Sequence, residues 1–196
     1  MGAISSKIHK EKFNEYIING DIEKIKLILK HAKKNQIKQT LNEINKTDGY
    51  NPLYWACCKN NIEILKLLID YSEKNDIVLD LNERDENGWY PFYFAADHNN
   101  TEMIKLLINY AEKHQTELIL NEVDKTGRFP ITVIINNHNN PEIIEIVKEY
   151  VVKNDITLRW ESINEKKEQD EISKEQVKKN YIYIYIYQIF QLFFFF

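Results

Sequence analysis

"NERDENGWYPFYFAA", Asn82–Ala96, opens on charge, turns at an Asn-Gly pair, and runs through Trp89 and Pro91 into aromatic and then small residues. That is the order of a tight turn followed by a short helix. Gly88 can take a positive φ without a Cβ clash, and Pro91 suits the first helical turn, where its missing N–H would have had no partner anyway. Ala95 and Ala96 let a neighbouring helix approach closely. The layout is not unique to this stretch: "NEINKTDGYNPLYWACC" from Asn42 and "NEVDKTGRFPITVII" from Asn121 share it. Gly49, Gly88 and Gly127 stand 39 residues apart, and so do Pro52, Pro91 and Pro130.

A second block recurs in phase. It reads "NIEILKLLIDYSEKNDIVLDLNE" from Asn61, "NTEMIKLLINYAEKHQTELILNE" from Asn100 and "NPEIIEIVKEYVVKNDITL" from Asn140, with "GDIEKIKLILKHAKKNQIKQTLNE" from Gly20 as an earlier copy. Ile64, Leu65, Leu67 and Leu68 fall at helical spacing and give one apolar face. Asn60, Asn99 and Asn139 stand where the chain must reverse between the two helices, and Asn tolerates the left-handed conformation better than other non-glycine residues. No turn and helix pair can bury such a face alone. Stacked copies can, so the expected fold is all-α, a solenoid of helix pairs joined by β-hairpin connections.

The two blocks together resemble the ankyrin repeat, whose pattern is a turn, G-x-T-P-L-H-x-A-A, a loop, and then E-I/V-V-K-L-L-L. Gly88–Ala96 fills the first part as G-W-Y-P-F-Y-F-A-A, and Glu63–Ile69 fills the second as E-I-L-K-L-L-I. The resemblance covers residues from about 5 to 160 and implies an ankyrin-repeat α-solenoid. It divides the chain into an N-terminal capping helix pair (1–41), two ankyrin-like repeats (42–81 and 82–120) and a divergent one (121–160). Residues 161–196 form a charged linker and a low-complexity aromatic tail.

Departures from the family pattern are equally legible. The period is 39 where the family has 33, and the six extra residues all follow the second helix. That helix should be longer, with the "IVLDL" exit paired to the hairpin. The family's Thr and His, which hydrogen-bond locally, are replaced by Asn51 and Tyr54, Tyr90 and Tyr93, and Phe129 and Thr132, so aromatic packing is expected to substitute. In the fourth unit one residue is added around His138, and Ile134 and Ile135 stand in place of Ala; its first helix should sit differently. At the start, Ile8, Phe13, Tyr16 and Ile17 are the expected inward residues of the cap. The end, "YIYIYIYQIFQLFFFF", is what a TA repeat and a T run encode, and 161–196 is read as disordered or as a mistaken gene end that a spliced transcript would test.

Composition excludes several classes. At 196 residues with 43% hydrophobic and 29% charged, the chain is ordinary for a globular protein, and a net charge of −4 gives no footprint for nucleic acid. Cys57 and Cys58 are adjacent, and a disulfide between them would close a strained eight-membered ring. With no signal peptide, a reducing cytoplasmic location is expected, with the nucleus as the other compartment. The cysteines and the scattered histidines do not converge, so neither a metal nor a cofactor is expected, and no nucleophile arrangement suggests an enzyme. Cys57 occupies a small-residue position and reads as a buried hydrophobe.

What the resemblance implies instead is protein recognition on the hairpin tips and the inner face of the short helices, by a monomer. The candidate contact residues are Lys46, Tyr50, Trp55, Arg84, Glu86, Trp89, Phe94, Asp97, His98, Lys125 and Arg128. Tyr, Trp and Arg dominate interface energetics. Against this stands the reading that Trp89 and Tyr50 only cover a neighbouring hairpin or the Tyr93 and Phe94 rings. Two other functions remain open. "MGAISSK" fits N-myristoylation at Gly2, which would make a membrane-tethered scaffold, with Lys7, Lys10 and Lys12 as a thin second signal partly cancelled by Glu11. Alternatively, the chain is a fragment of a longer ankyrin protein.

Overall fold

The structure, a computed structural model, describes residues 6–31, 34–42, 50–135, 140–156 and 158. Within them the elements are α1 (Ser6–Asn19), α2 (Ile22–His31), α3 (Lys34–Asn42), α4 (Pro52–Cys58), α5 (Ile62–Lys74), α6 (Pro91–Asp97), α7 (Thr101–His114), α8 (Pro130–Val133) and α9 (Pro141–Lys153). Short helices α4, α6 and α8 pack side by side in one layer, with α1 against α4; α2, α5, α7 and α9 form the other. Each unit is thus covered by its neighbours, as a stacked solenoid requires. The described residues contain no β-strand.

Local chemistry accounts for the repeated shape. Asn60 and Asn99 adopt left-handed φ of 52° and 51°, and Gly20 does the same job at 72°. The next residue in each doublet then caps the second helix: the Oδ1 atoms of Asn61, Asn100 and Asn140 accept from the amides of Ile64 (3.0 Å), Met103 (3.0 Å) and Ile143 (3.4 Å). Asn139 lies outside the described residues. The second helices also end in left-handed residues, Asp76, Gln115 and Asp155, none of them Gly or Asn, although Asn75 and Asn154 cap two of these helices one residue earlier.

The six additional residues act as expected in part: they lengthen the second helix, but among the described residues their exit is not paired as a strand. Helix α5 runs on to Lys74, and the chain then leaves in an extended stretch with Ile77, Leu79 and Leu81 buried and Val78 51% exposed. This alternation is that of a half-buried strand, yet among the described residues its backbone is bonded by side chains rather than by a paired strand. Asn42, at the start of the same repeat, accepts from the Asp80 amide (3.2 Å) and donates to the Val78 carbonyl. The Tyr110 hydroxyl of the following unit accepts from the Leu79 amide (3.1 Å) and donates to the Ile77 carbonyl (3.2 Å). One unit later Asn82 binds the Ile119 amide (3.0 Å) and the Glu117 carbonyl (2.7 Å), while Tyr150 accepts from the Leu118 amide (3.2 Å). The long period therefore supplies a clamped extended segment after α5 and again after α7.

Two further expectations change. The N-terminal unit holds three helices rather than a pair, because its extension is coiled into α3. Phe13 and Ile17 are fully buried and Tyr16 half-buried; the Ile8 side chain is outside the described residues. In the fourth unit α8 is only four residues long and widens into a π-type turn at Ile134 and Ile135, the isoleucines that replace the paired alanines. His138, and all of 161–196, lie outside the described residues.

Candidate functional site

The inner surface is built from two turns and the helices they start. In residues 85–89 the Asp85 amide donates to the Trp89 carbonyl (2.8 Å) and the Gly88 amide to the Asp85 carbonyl (3.0 Å). Asp85 Oδ1 then accepts from the amides of Asn87 (2.8 Å) and Trp89 (2.7 Å). The turn at 124–128 repeats this with Asp124, Thr126 and Arg128. The two turns touch: the Lys125 amide donates to the Asn87 carbonyl (2.8 Å), and Arg84 spans to Glu122 Oε2 (2.7 Å) and the Val123 carbonyl (2.7 Å).

Each turn aspartate also receives the preceding unit's tyrosine. Tyr54 donates to Asp85 Oδ2 (3.0 Å) and Tyr93 to Asp124 Oδ2 (2.7 Å). Aromatic packing therefore does not stand alone in the place of the family's Thr and His. Asn51 caps α4 through the Tyr54 amide (2.8 Å), and Thr132 donates to the Phe129 carbonyl (2.7 Å). Burial pushes the Asp124 carboxyl up, but hydrogen bonds from Thr126, Tyr93 and Arg128 outweigh it and hold the group well below the usual carboxylate range. Burial, reinforced by those same aspartates, pushes the Tyr54 and Tyr93 hydroxyls far above theirs. The protons stay on the tyrosines, and these groups build structure.

Over the turns lies a continuous ring cluster. Tyr50 stacks on Tyr54 at 4.2 Å and meets the Trp55 edge at 5.8 Å; Tyr54 meets Phe94 at 5.1 Å; Trp89 stacks on Tyr93 at 5.2 Å and meets Phe94 edge-on at 5.2 Å. His98 lies over Phe94 at 6.4 Å with its Nε2 3.1 Å from the Cys58 carbonyl, and the Lys59 ammonium sits 5.7 Å above Trp55. Such offset and edge-on pairs each add about 0.5–1.5 kcal/mol beyond area burial, so the surface is rigid.

The candidate residues divide accordingly. Glu86, His98 and Lys125 are exposed, and Tyr50, Trp55, Trp89 and Asp97 half-buried. Phe94 is a correction: at 3% exposure it is core, packed against Trp89 and His98, and offers almost no surface for contact. Arg84 and Arg128 reach the surface but are engaged, Arg128 gripping Asp124 Oδ2 through Nε (3.0 Å) and Nη2 (2.9 Å). Trp89 and Tyr50 do cover Tyr93, Phe94 and Tyr54, while keeping an open edge. Lys46 and Gly2 fall outside the described residues. Sequence reading missed the two Tyr–Asp ties, whose partners are 31 residues apart with no local signal.

Cys57 is fully buried and Cys58 half-buried, neither in a disulfide, and burial raises both thiols above their ordinary value. That is the opposite of what activates a thiolate. Among the described residues no group of three or more His, Cys, Asp or Glu is placed to hold a metal ion.

This two-layer stack with turn-and-short-helix inner surface defines a repeat-protein class, and a family comparison agrees. The model for "Ankyrin repeats (3 copies)" matches residues 14–117 and 77–159, so the chain belongs to the ankyrin-repeat family. Members of that family are generally protein–protein interaction modules. A search of curated proteins finds no match to the chain.

Proposed function

We propose that the chain is a non-catalytic recognition module whose protein partner lies across the turn tips and the short helices, contacting Glu86, Lys125, His98, Lys59 and the open edges of Trp55, Trp89 and Tyr50. The supporting observation is the preorganised aromatic surface. Half-exposed Trp and Tyr rings, already fixed by stacking on buried rings, lose little freedom on binding. Charged residues of both signs border them, as on an interface rim. Two reduced cysteines fit a cytoplasmic location.

The test compares proteins captured from the native cell by the wild type and by Lys125→Glu/His98→Ala/Lys59→Glu, with thermal melts to confirm that the fold is kept. Loss of the same specific partners in the variant supports this face. An unchanged partner set contradicts it. Arg128→Ala is unsuitable, since it also removes two bonds to Asp124.

A further inference from the structure

Charge is unevenly distributed along this chain. Residues 1–41 carry nine lysines and no arginine against Glu11, Glu15, Asp21 and Glu23, a net of +5, while the remaining residues sum to −9. The three lysines nearest Gly2 are only part of this excess. Among the described ones, Lys24, Lys26 and Lys30 are exposed along α2, at the end of the stack, with Lys12 exposed on α1 and Lys38 on α3. Lys24 and Lys26 are held by Asp21 and Glu23, whereas among the described residues Lys30 and Lys38 have no ion-pair partner. Between Lys24 and Lys30, three residues from each and so on the same helical face, Leu27 stands 59% exposed. Its counterparts Leu67 and Leu106 in the next units are partly covered.

We propose that this lysine-rich outer face of the N-terminal unit docks on an anionic lipid surface, with Leu27 entering the headgroup layer. Clustered lysines are attracted to the negative leaflet, and an apolar side chain among them adds interfacial burial. Lysine supplies compact point charges suited to a diffuse field, and lacks the planar fork that arginine offers for matched carboxylate recognition. The face is the outer side of a helix, a form suited to a broad surface rather than to an ordered acidic peptide. The acidic remainder of the chain is repelled by the same field, which orients the molecule cap-down and leaves the recognition face clear. Among the described residues no helix is long and apolar enough to cross a membrane.

Docking of this kind does not need an acyl group on Gly2, and the experiment uses full-length protein with Gly2 unmodified. Co-sedimentation is measured with vesicles of pure phosphatidylcholine and of phosphatidylcholine with about 30 mol% phosphatidylserine, at low and high KCl. At low salt, binding to the phosphatidylserine vesicles should exceed binding to the neutral ones by at least about tenfold, and high salt should abolish the difference. Each lysine at the surface is worth about fivefold, so Lys24→Glu/Lys30→Glu/Lys38→Glu should weaken binding by about a hundredfold or more. Leu27→Ala should weaken it several-fold, and Lys74→Glu/Lys105→Glu/Lys113→Glu less than about threefold. Equal binding to both vesicles, equal loss in the two triple variants, or retention of polyglutamate or nucleic acid but not vesicles would each overturn the proposal. The salt response of the wild type decides for or against docking even if a variant misfolds. Membrane fractionation of Gly2→Ala from eukaryotic cells tests acylation separately.

Discussion

At the scale of single residues, the turns are where chemistry is most specific, and paired substitutions separate its causes. Gly88 and Gly127 occupy the same turn position at φ 84° and 83°. A Cβ on Gly88 would lie 2.8 Å from the Val123 carbonyl oxygen and 3.1 Å from Asp124 Cα, while one on Gly127 would meet nothing within 4 Å. Gly127→Ala should therefore cost about 1–2 kcal/mol for the left-handed backbone alone, and Gly88→Ala about 1–3 kcal/mol more for the collision. Urea melts of the two check the ordering. Asp124 gives a pH prediction. Its carboxyl is depressed in the folded protein, so the stability it contributes is complete above its unfolded value near pH 4 and is lost as pH falls further, towards the folded value. Asp124→Asn should destabilise by about 2–3 kcal/mol at pH 7, and the gap to the wild type should close between about pH 4 and 2. A gap independent of pH would mean that the charge is not what matters. The glycines and their spacing were legible in the sequence. Tyr54–Asp85 and Tyr93–Asp124 were not, because a hydrogen bond between residues 31 apart leaves no periodic trace.

At the scale of elements, the unusual feature is the extended segment after α5 and α7. The sequence located the inserted residues but not their use: "IVLDL" alternates as a paired strand would, and the partners turn out to be the amide of the asparagine that opens the repeat and a tyrosine hydroxyl from the following unit. Tyr110 is the sharper test. Its hydroxyl bonds the Leu79 amide and the Ile77 carbonyl, lies 3.1 Å from Ser72 Oγ, and is buried. Tyr110→Phe keeps the ring against His114 and removes only the oxygen, leaving a buried amide and carbonyl without it, and should cost about 1–3 kcal/mol. Asn82→Ala, at a more exposed clamp, should cost less, about 1 kcal/mol. Equal effects, or none, in equilibrium unfolding would mean that the segment is held by Ile77, Leu79 and Leu81 alone. The shortening of α8 was foreseeable in kind from Ile134 and Ile135, since two bulky residues cannot occupy the space of Ala95 and Ala96; the wider turn that relieves them was not.

At the scale of the whole molecule, the order of units follows from apolar faces that need neighbours, and the two outer units differ where that logic demands. At the position of Ile64, Met103 and Ile143, all fully buried, the first unit has exposed Lys24; at that of Leu29, Ile69 and Ile108, all at most 9% exposed, the fourth has Lys148, paired with Glu145. Lys148→Ile should leave a larger apolar patch on α9 and bring on concentration-dependent association, read by sedimentation velocity. A variant that sediments as the wild type does at every concentration would show that α9 is already covered. Fold class was readable because a stack repeats its signals three or four times over. The proposed recognition face was only partly so: residue types suggested it, but burial, which removes Phe94, and engagement, which occupies Arg84 and Arg128, are properties of packing. The central claim is that a partner lies across the turn tips and short helices, and site-specific photo-crosslinking in cells tests it most directly. A photoreactive amino acid placed in turn at His98, Lys125 and Glu86 should give the same discrete protein adduct, and one at Lys66 or Lys105, in the opposite layer, should give none of it. Adducts from Lys66 and Lys105 but not from His98, Lys125 or Glu86 would put recognition on the other side of the stack and contradict the account.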